Sequence, residues 1–171
     1  MKMLDLCSGS GSVSNIFRDE GFYCDSCDPF FQTSFKMKVQ DLEYQDLDYY
    51  DMIWASPPCD QFALWGMPFH QDKRVIPDLS ILMSCLKIIS KVNPKFWIIE
   101  NVKGSQKFIN PLLGKPFHKG SRYLWGIMPL FDCDTSKCFG KSKLSGRDKF
   151  NRAKIPEDLT RNLAKAILRE L

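Results

Sequence analysis

The sequence predicts an α/β domain with a mostly parallel sheet flanked by helices. Three observations carry that prediction. Short apolar runs of strand length alternate with longer stretches of helical periodicity, the first run opens straight into a Gly/Ser-rich turn and a helix, and 171 residues suit one domain with a real core. No internal repeat is visible.

Residues 3–6 read as the first strand, and CSGSGS at 7–12 as the turn that leaves it. In VSNIFRDEG, Val13, Ile16 and Phe17 share a helical face, and Gly21 is placed to end the helix as a C-cap. FYCDSCD (22–28) is the second strand, residues 39–42 a weaker third and DMIWA (51–55) the fourth. Pro77 sits where a helix favours proline, at its first position, and DLSILMSCLKIISKV after it is apolar on most faces, which predicts a well-buried helix. FWIIE (96–100), after Asn93-Pro94, is the fifth strand. From 104 to 151 Gly, Pro and Lys interrupt every period, predicting loops and short strands. Residues 155–171 form an amphipathic C-terminal helix with Leu159, Leu163, Ala166 and Ile167 on one stripe and acids in its first turn. The expected organisation is a single domain over 1–171: a core at 1–102, a basic irregular segment at 103–154 and the closing helix.

Composition excludes several classes. No stretch approaches the roughly 18 apolar residues of a membrane span, and the N-terminus has no long apolar region of the secretory type. The seven cysteines are odd in number and sit mostly in apolar runs, which fits a reducing cytoplasm (a host's, were the chain phage-encoded) better than a disulfide scaffold. Charge is unevenly spread: residues 1–102 carry 9 Lys/Arg against 14 Asp/Glu, and 103–154 carry 12 against 3. The basic segment also holds Phe108, Phe117, Tyr123, Trp125, Phe131, Phe139 and Phe150, and basic residues interleaved with aromatics point to nucleic acid at one face.

Three motifs carry chemistry. Gly9 and Gly11 let the chain turn tightly and approach a ligand closely after the first strand. Asp28 ends the second strand, where a carboxylate can accept from ribose hydroxyls, and Asp41 ends the third, within reach of an adenine amino group. Together they outline a pocket for an adenosine-containing cofactor, while the lack of a complete GxxxxGK[ST] motif (the GKS at 140–142 has Thr135 where the first glycine belongs) argues against a P-loop. Ser56-Pro57-Pro58-Cys59 closes the fourth strand, and two prolines stiffen the backbone that presents the thiol. A cysteine nucleophile suits a target carbon that must be activated by covalent addition; the competing reading is a buried structural cysteine. Glu100-Asn101-Val102 ends the fifth strand, where a carboxylate can protonate or hydrogen-bond a ring nitrogen.

The set LDLCSGSGS, SPPC and IIENV, in that order, resembles the cytosine C5 methyltransferases that use S-adenosylmethionine. The resemblance covers residues 3–104, and GSRYLWG and AKIPEDLTRNLAKAIL are similar to the ends of small phage- and bacterium-encoded relatives. It implies a Rossmann-like methyltransferase fold, S-adenosylmethionine as cofactor, and DNA as substrate through the basic 103–154 segment. By position, Asp5, Gly9 and Gly11 would lie along the methionine and ribose of the cofactor, Asp28 at the ribose hydroxyls, Asp41 at the adenine amine, and Pro57 in the pocket wall. Cys59 would add to C6 of cytosine, Glu100 would hold and protonate N3, and Arg122 would contact the base carbonyl. The family's Gln-x-Arg-x-Arg pattern is absent; Ser121-Arg122-Tyr123 stands near its place. Cys7 replaces a common phenylalanine and Ser12 a common glycine, which would weaken cofactor binding. No separate recognition domain is evident, so the enzyme would be weakly selective, act on single strands, or take recognition from a second copy or a partner subunit. The alternatives are methylation of cytosine in RNA or in a free nucleotide, and a non-catalytic module that binds cofactor or nucleic acid.

Other signals carry less. Cys24, Cys27, Cys133 and Cys138 have the count for zinc, but the odd offset of Cys24 and Cys27 along a strand points them to opposite faces, so no metal site is expected. His70 and His118 stand alone. Trp65 serves either as a loop anchor or as a cover for the target base, and Trp97 reads as core.

Overall fold

The structure is a computed structural model that describes residues 1–47, 49–67, 69, 75–134 and 154–170. Its sheet has six strands in the order β2-β1-β3-β4-β6-β5. Strands β1 (Lys2–Leu6), β2 (Tyr23–Cys27), β3 (Met52–Ala55) and β4 (Phe96–Asn101) run parallel, while β6 (Arg122–Ile127) pairs antiparallel with β4 and with β5 (Phe117–Lys119). The helices are α1 (Ser14–Asp19), α2 (Asp60–Ala63), α3 (Ser80–Val92), α4 (Gln106–Leu113) and α5 (Glu157–Arg169).

Period-two alternation along the strands divides the core between two faces. Met3, Met52, Trp54 and Ile98 face α1 and α5, packing with Phe17, Leu159, Leu163 and Ile167. Leu4, Leu6, Ile53, Ala55 and Ile99 face the other way, onto Leu82, Cys85 and Ile88 of α3 and Trp125 of β6. The predicted stripe of the C-terminal helix is thus its buried face.

Gly21 ends α1 as the sequence predicts. At φ +92° it lets Phe22 N donate to Phe17 O and its own N–H to Arg18 O, each at 3.0 Å, and the Phe17 and Phe22 rings meet edge-on at 4.8 Å.

Three expectations are corrected. Residues 39–42 are not a strand: Val39–Asp41 is a 3-10 turn, and Val39 and Leu42, three apart, both bury against α3, a spacing that suits a turn and not a pleat. The helix after Pro77 starts at Ser80, because the Asp78 carboxylate accepts from Ser80 N at 2.8 Å and Ser80 Oγ at 3.0 Å and so sets the boundary itself. That helix buries Leu82, Cys85, Ile88 and Ile89 on one side only, with Met83 exposed on the other. Within the basic segment, the short strands are β5 and β6, and α4 is an element the interrupted pattern concealed. Residues 135–153 lie outside the described residues, with Cys138, Phe139 and Phe150; so does His70. Among the described residues no helix is long and apolar enough to cross a membrane.

Candidate active site

Strand order reverses at β1, whose neighbours are β2 on one side and β3 on the other. A crevice at the carboxyl ends of strands is expected at such a switch point. A cleft of about 110 Å3 opens there, lined by Asp5, Gly9, Pro57, Cys59, Glu100 and Arg122 among others. Six of the nine residues singled out in the sequence therefore converge on one space. Gly11, Asp28 and Asp41 do not line it.

The first wall is the glycine turn. Cys7, Gly9 and Gly11 all have positive φ (57°, 53° and 75°), a geometry that costs a glycine nothing but strains Cys7. Asp28 holds this turn: its Oδ2 accepts from Gly9 N at 3.0 Å and its Oδ1 from Phe30 N at 2.9 Å. Asp5 Oδ2 accepts from Ser14 N at 3.2 Å, but its Oδ1 is buried with no hydrogen-bond partner among the described residues. Burial, partly offset by the Ser14 contacts, pushes the Asp5 carboxyl up to about 7. Two carboxylates at a turn whose glycine N–H is already taken make a poor seat for a phosphate. They fit a ligand that brings a cationic or N–H donor group.

The opposite wall joins the Pro-Pro-Cys turn to the end of β4. Asn101 Nδ2 donates to Pro57 O at 3.0 Å, and Asn101 Oδ1 accepts from Val102 N at 2.9 Å. Cys59 caps α2, its carbonyl accepting from Ala63 N at 2.8 Å. Burial first, then the charges of Glu100 and Asp60, raise the Cys59 thiol above its ordinary value, while Arg122 pulls it down. Glu100 is 4% exposed and also raised by burial, with Arg122 and Ser56 opposing. Its Oε1 accepts from Arg122 Nη1 at 3.2 Å, an ion pair largely removed from solvent.

Sequence reading passed over three contributors. Lys154, the last residue of the basic segment, and Ile155 after it line the cleft: Arg122 Nη2 donates to Lys154 O at 2.8 Å, and Ile155 N to Ser12 Oγ at 3.2 Å. Ser12, noted only as a replacement for glycine, thus ties the glycine turn to this returning strap. Ser56 also lines the cleft and accepts from Trp54 Nε1 at 2.8 Å. The role of none of the three is legible locally; only a hydroxyl next to Pro-Pro offered a signal.

Remaining expectations resolve as follows. Asp41 is exposed on its 3-10 turn, its charge felt by Cys27. Trp65 is an anchor: its indole N–H donates to Val75 O at 2.9 Å, its ring meets Phe108 edge-on at 5.1 Å, and Lys107 lies over it at 4.2 Å. Trp97 is half-buried against the α3 face, His118 stacks on Tyr123 at 4.5 Å, and Cys24 and Cys27 bury in opposite faces of the sheet.

Comparison with known proteins agrees with this fold. The family model of the C-5 cytosine-specific DNA methylase matches residues 1–111, ending ahead of Arg122. Among solved structures, a chain described as a DNA modification methyltransferase and encoded within an E. coli prophage aligns at TM-score 0.51 and 20% identity, over 74% of this chain and 46% of that one. The Entamoeba histolytica methyltransferase EhMeth aligns at TM-score 0.51 and 14% identity, over 74% and 52%. At these identities the likeness is one of fold, and the chain spans about half the length of either structure. No curated protein matches it.

Proposed function

The chain belongs to the C-5 cytosine-specific DNA methylase family, and from that premise we propose that it transfers a methyl group from S-adenosylmethionine to C5 of cytosine in DNA through a covalent adduct at Cys59. The observation that carries this reading is the convergence of Cys59, Glu100 and Arg122 on the cleft that also holds Asp5 and Gly9.

S-adenosylmethionine brings a sulfonium methyl electrophilic enough to be taken up by an activated C5. Its cationic sulfonium and amino group are the chemistry that the bare Asp5 Oδ1 and the acidic glycine turn fit. Asp5, Gly9 and Pro57 of the cleft lining are its proposed contacts, and the proposal carries the ligand beyond that lining, past Gly11 to Asp28 at the ribose and Asp41 at the adenine.

Across the cleft, Cys59, its thiol proton given up to water, adds as the thiolate to C6 of the base while Glu100 gives its proton to N3, so that C5 becomes the carbon of an enamine. Burial favours the neutral form of Glu100, which is the form that has a proton to give. A neutral Glu100 also relieves Cys59 of the neighbouring negative charge that holds its thiol protonated. Arg122, kept in place by Lys154 O, faces the base carbonyl. Once C5 carries the methyl group, water takes the C5 proton, the C6–S bond returns its electron pair to Cys59 as thiolate, and N3 gives its proton back to Glu100, which restores the ring.

The DNA reaches this cleft across the basic segment, of which Lys103, Lys107, Lys115, Lys119 and Lys154 lie among the described residues. Target recognition is assigned to a second copy or a partner subunit docking beside it.

The test is covalent trapping. With S-adenosylmethionine and DNA carrying 5-fluorocytosine, where fluorine cannot leave as a proton does, a denaturing gel should show a protein–DNA adduct that Cys59→Ala abolishes. Absence of the adduct on both single- and double-stranded DNA overturns the reading.

A further inference from the structure

Ser56 has no part in the steps above, yet the fold places it beside Glu100. In the β3–β4 register Ala55 pairs with Ile99, so Ser56, one residue past the end of β3, lies beside Glu100, which is still in β4 and paired with Leu124 of β6. Ser56 N donates to Leu6 O at 3.1 Å, which anchors its backbone to β1. Its side chain is oriented from the other direction. An indole N–H can only donate, so Ser56 Oγ must accept from the fully buried Trp54 across their 2.8 Å contact. The Ser56 hydroxyl proton is thereby turned away from Trp54, and the carboxyl beside it on the same face of the sheet is that of Glu100, whose ionised form the hydroxyl favours.

We infer that Ser56, aimed by Trp54, is a positioning residue that holds one edge of the Glu100 carboxyl so that its proton-bearing edge faces the target base. The inference rests on the cytosine reading given above and adds to it the means by which Glu100 is oriented. Trp54 and Ser56 form a short relay from the hydrophobic core to the reacting acid, with Arg122 gripping the carboxyl from β6. Without Ser56 the carboxyl would keep Arg122 as a partner but lose the neighbouring hydroxyl to which we assign its orientation.

A donor to the ionised carboxylate favours ionisation, so removing it must raise the pH at which Glu100 titrates. The other charged or titratable groups facing Glu100 are Arg122 of β6, Cys59 of the Pro-Pro turn with Asp60 beside it, Asp5 of β1 and Lys154 ahead of α5. Ser56→Ala leaves all of them in place.

The experiment is a carboxyl-carbon NMR titration of the cofactor-free protein, with Glu100→Gln to assign the signal. Ser56→Ala should raise the Glu100 midpoint by about one pH unit, the scale of one hydrogen bond to a charged group, and Ser56→Thr should restore it. Adduct formation with 5-fluorocytosine should slow about tenfold in Ser56→Ala and recover in Ser56→Thr. An unmoved midpoint in Ser56→Ala, or a Ser56→Thr variant as defective as Ser56→Ala, overturns the inference. Should Ser56→Ala fail to fold, Ser56→Gly carries the same expectation. A shifted midpoint in a protein that never forms the adduct would instead sink the methyltransferase reading and leave the Ser56–Glu100 pair standing.

Discussion

The side-chain amide of Asn101 donates to the backbone carbonyl of Pro57 across 3.0 Å, and both groups are buried. This one bond ties the turn that carries Cys59 to the strand end that carries Glu100, so the proposed nucleophile and acid are held by a shared fastening. The prolines stiffen the turn, but stiffness alone does not set its distance from β4; the amide does. Asn101→Ala should leave the Pro57 carbonyl without its partner, at a cost of about 1–3 kcal/mol. Because Cys59 and Glu100 would then drift relative to each other, 5-fluorocytosine adduct formation should fall about tenfold or more. Asn101→Asp should be equally defective, since a carboxylate cannot donate. Single-turnover trapping rates at saturating DNA check both.

Glu100 and Arg122 act on the Cys59 thiol with opposite signs. The Glu100 carboxylate raises it and the Arg122 guanidinium lowers it. Glu100→Gln should therefore increase the thiolate fraction at neutral pH and speed alkylation of Cys59 by iodoacetamide, while abolishing methyl transfer for want of a proton donor. Arg122→Ala should do the reverse and slow alkylation. Rates measured against a Cys59→Ala control separate Cys59 from the half-buried Cys7. Equal alkylation rates in all three backgrounds would show that the groups do not share one electrostatic environment.

Where the sequence was informative, the signal was local. Gly21 could be read as a helix end because the left-handed position falls to glycine, and Cys59 and Glu100 because each follows an apolar run at a strand's carboxyl end. Residues 39–42 misled because four residues are too few to separate a pleat from a turn, and Val39 and Leu42 bury together at a spacing of three. Pro77 misled because a proline permits a helix start without compelling one, while the Asp78 side chain compels it. What remained hidden depends on contacts far apart in the chain. Ile155 reaches Ser12 across 143 residues, and Asn101 reaches Pro57 across 44. Neither pair announces itself in a window of sequence, so the strap over the cleft and the clamp beneath it had no local signature.

Gly104 marks how closely the loop after Cys59 is packed. A Cβ there would stand 1.9 Å from Phe62 O and 2.6 Å from Gly66 N, both backbone atoms of the stretch that follows Cys59. Backbone cannot swing aside as a side-chain tip can. Gly104→Ala should thus push α2 and the Leu64–Gly66 turn away from β4, lowering stability by about 1–3 kcal/mol and carrying Cys59 out of line. Urea unfolding reads the first effect and adduct formation the second. Gly9→Ala is a useful contrast: no atom lies within 4 Å of its added Cβ, so only its positive φ opposes it, and its defect should appear in cofactor affinity more than in the placement of Cys59.

Asp5 couples the cofactor wall to pH. Its carboxyl titrates near 7 in the folded chain, well above the 3.8 of an exposed aspartate. Between those values the folded state holds a proton that the unfolded state has lost, so stability is greatest below about pH 4 as far as this group is concerned, and falls as pH rises towards 7. Above 7 the loss levels off, at an upper bound on the order of a few kcal/mol. Asp5→Asn removes the titration, and its stability should lose this part of the slope between pH 4 and 7, as denaturant midpoints across that range will show. A cationic ligand at the same carboxylate reverses the preference, because it favours the ionised form that burial disfavours. S-adenosylmethionine should accordingly bind more tightly as pH rises through 7 and should release a proton below it, both measurable by calorimetry in buffers of different ionisation enthalpy. In Asp5→Asn affinity should be weaker and no longer change across that range. An affinity in the unaltered protein that is flat from pH 6 to 8 would remove Asp5 from the cofactor's contacts.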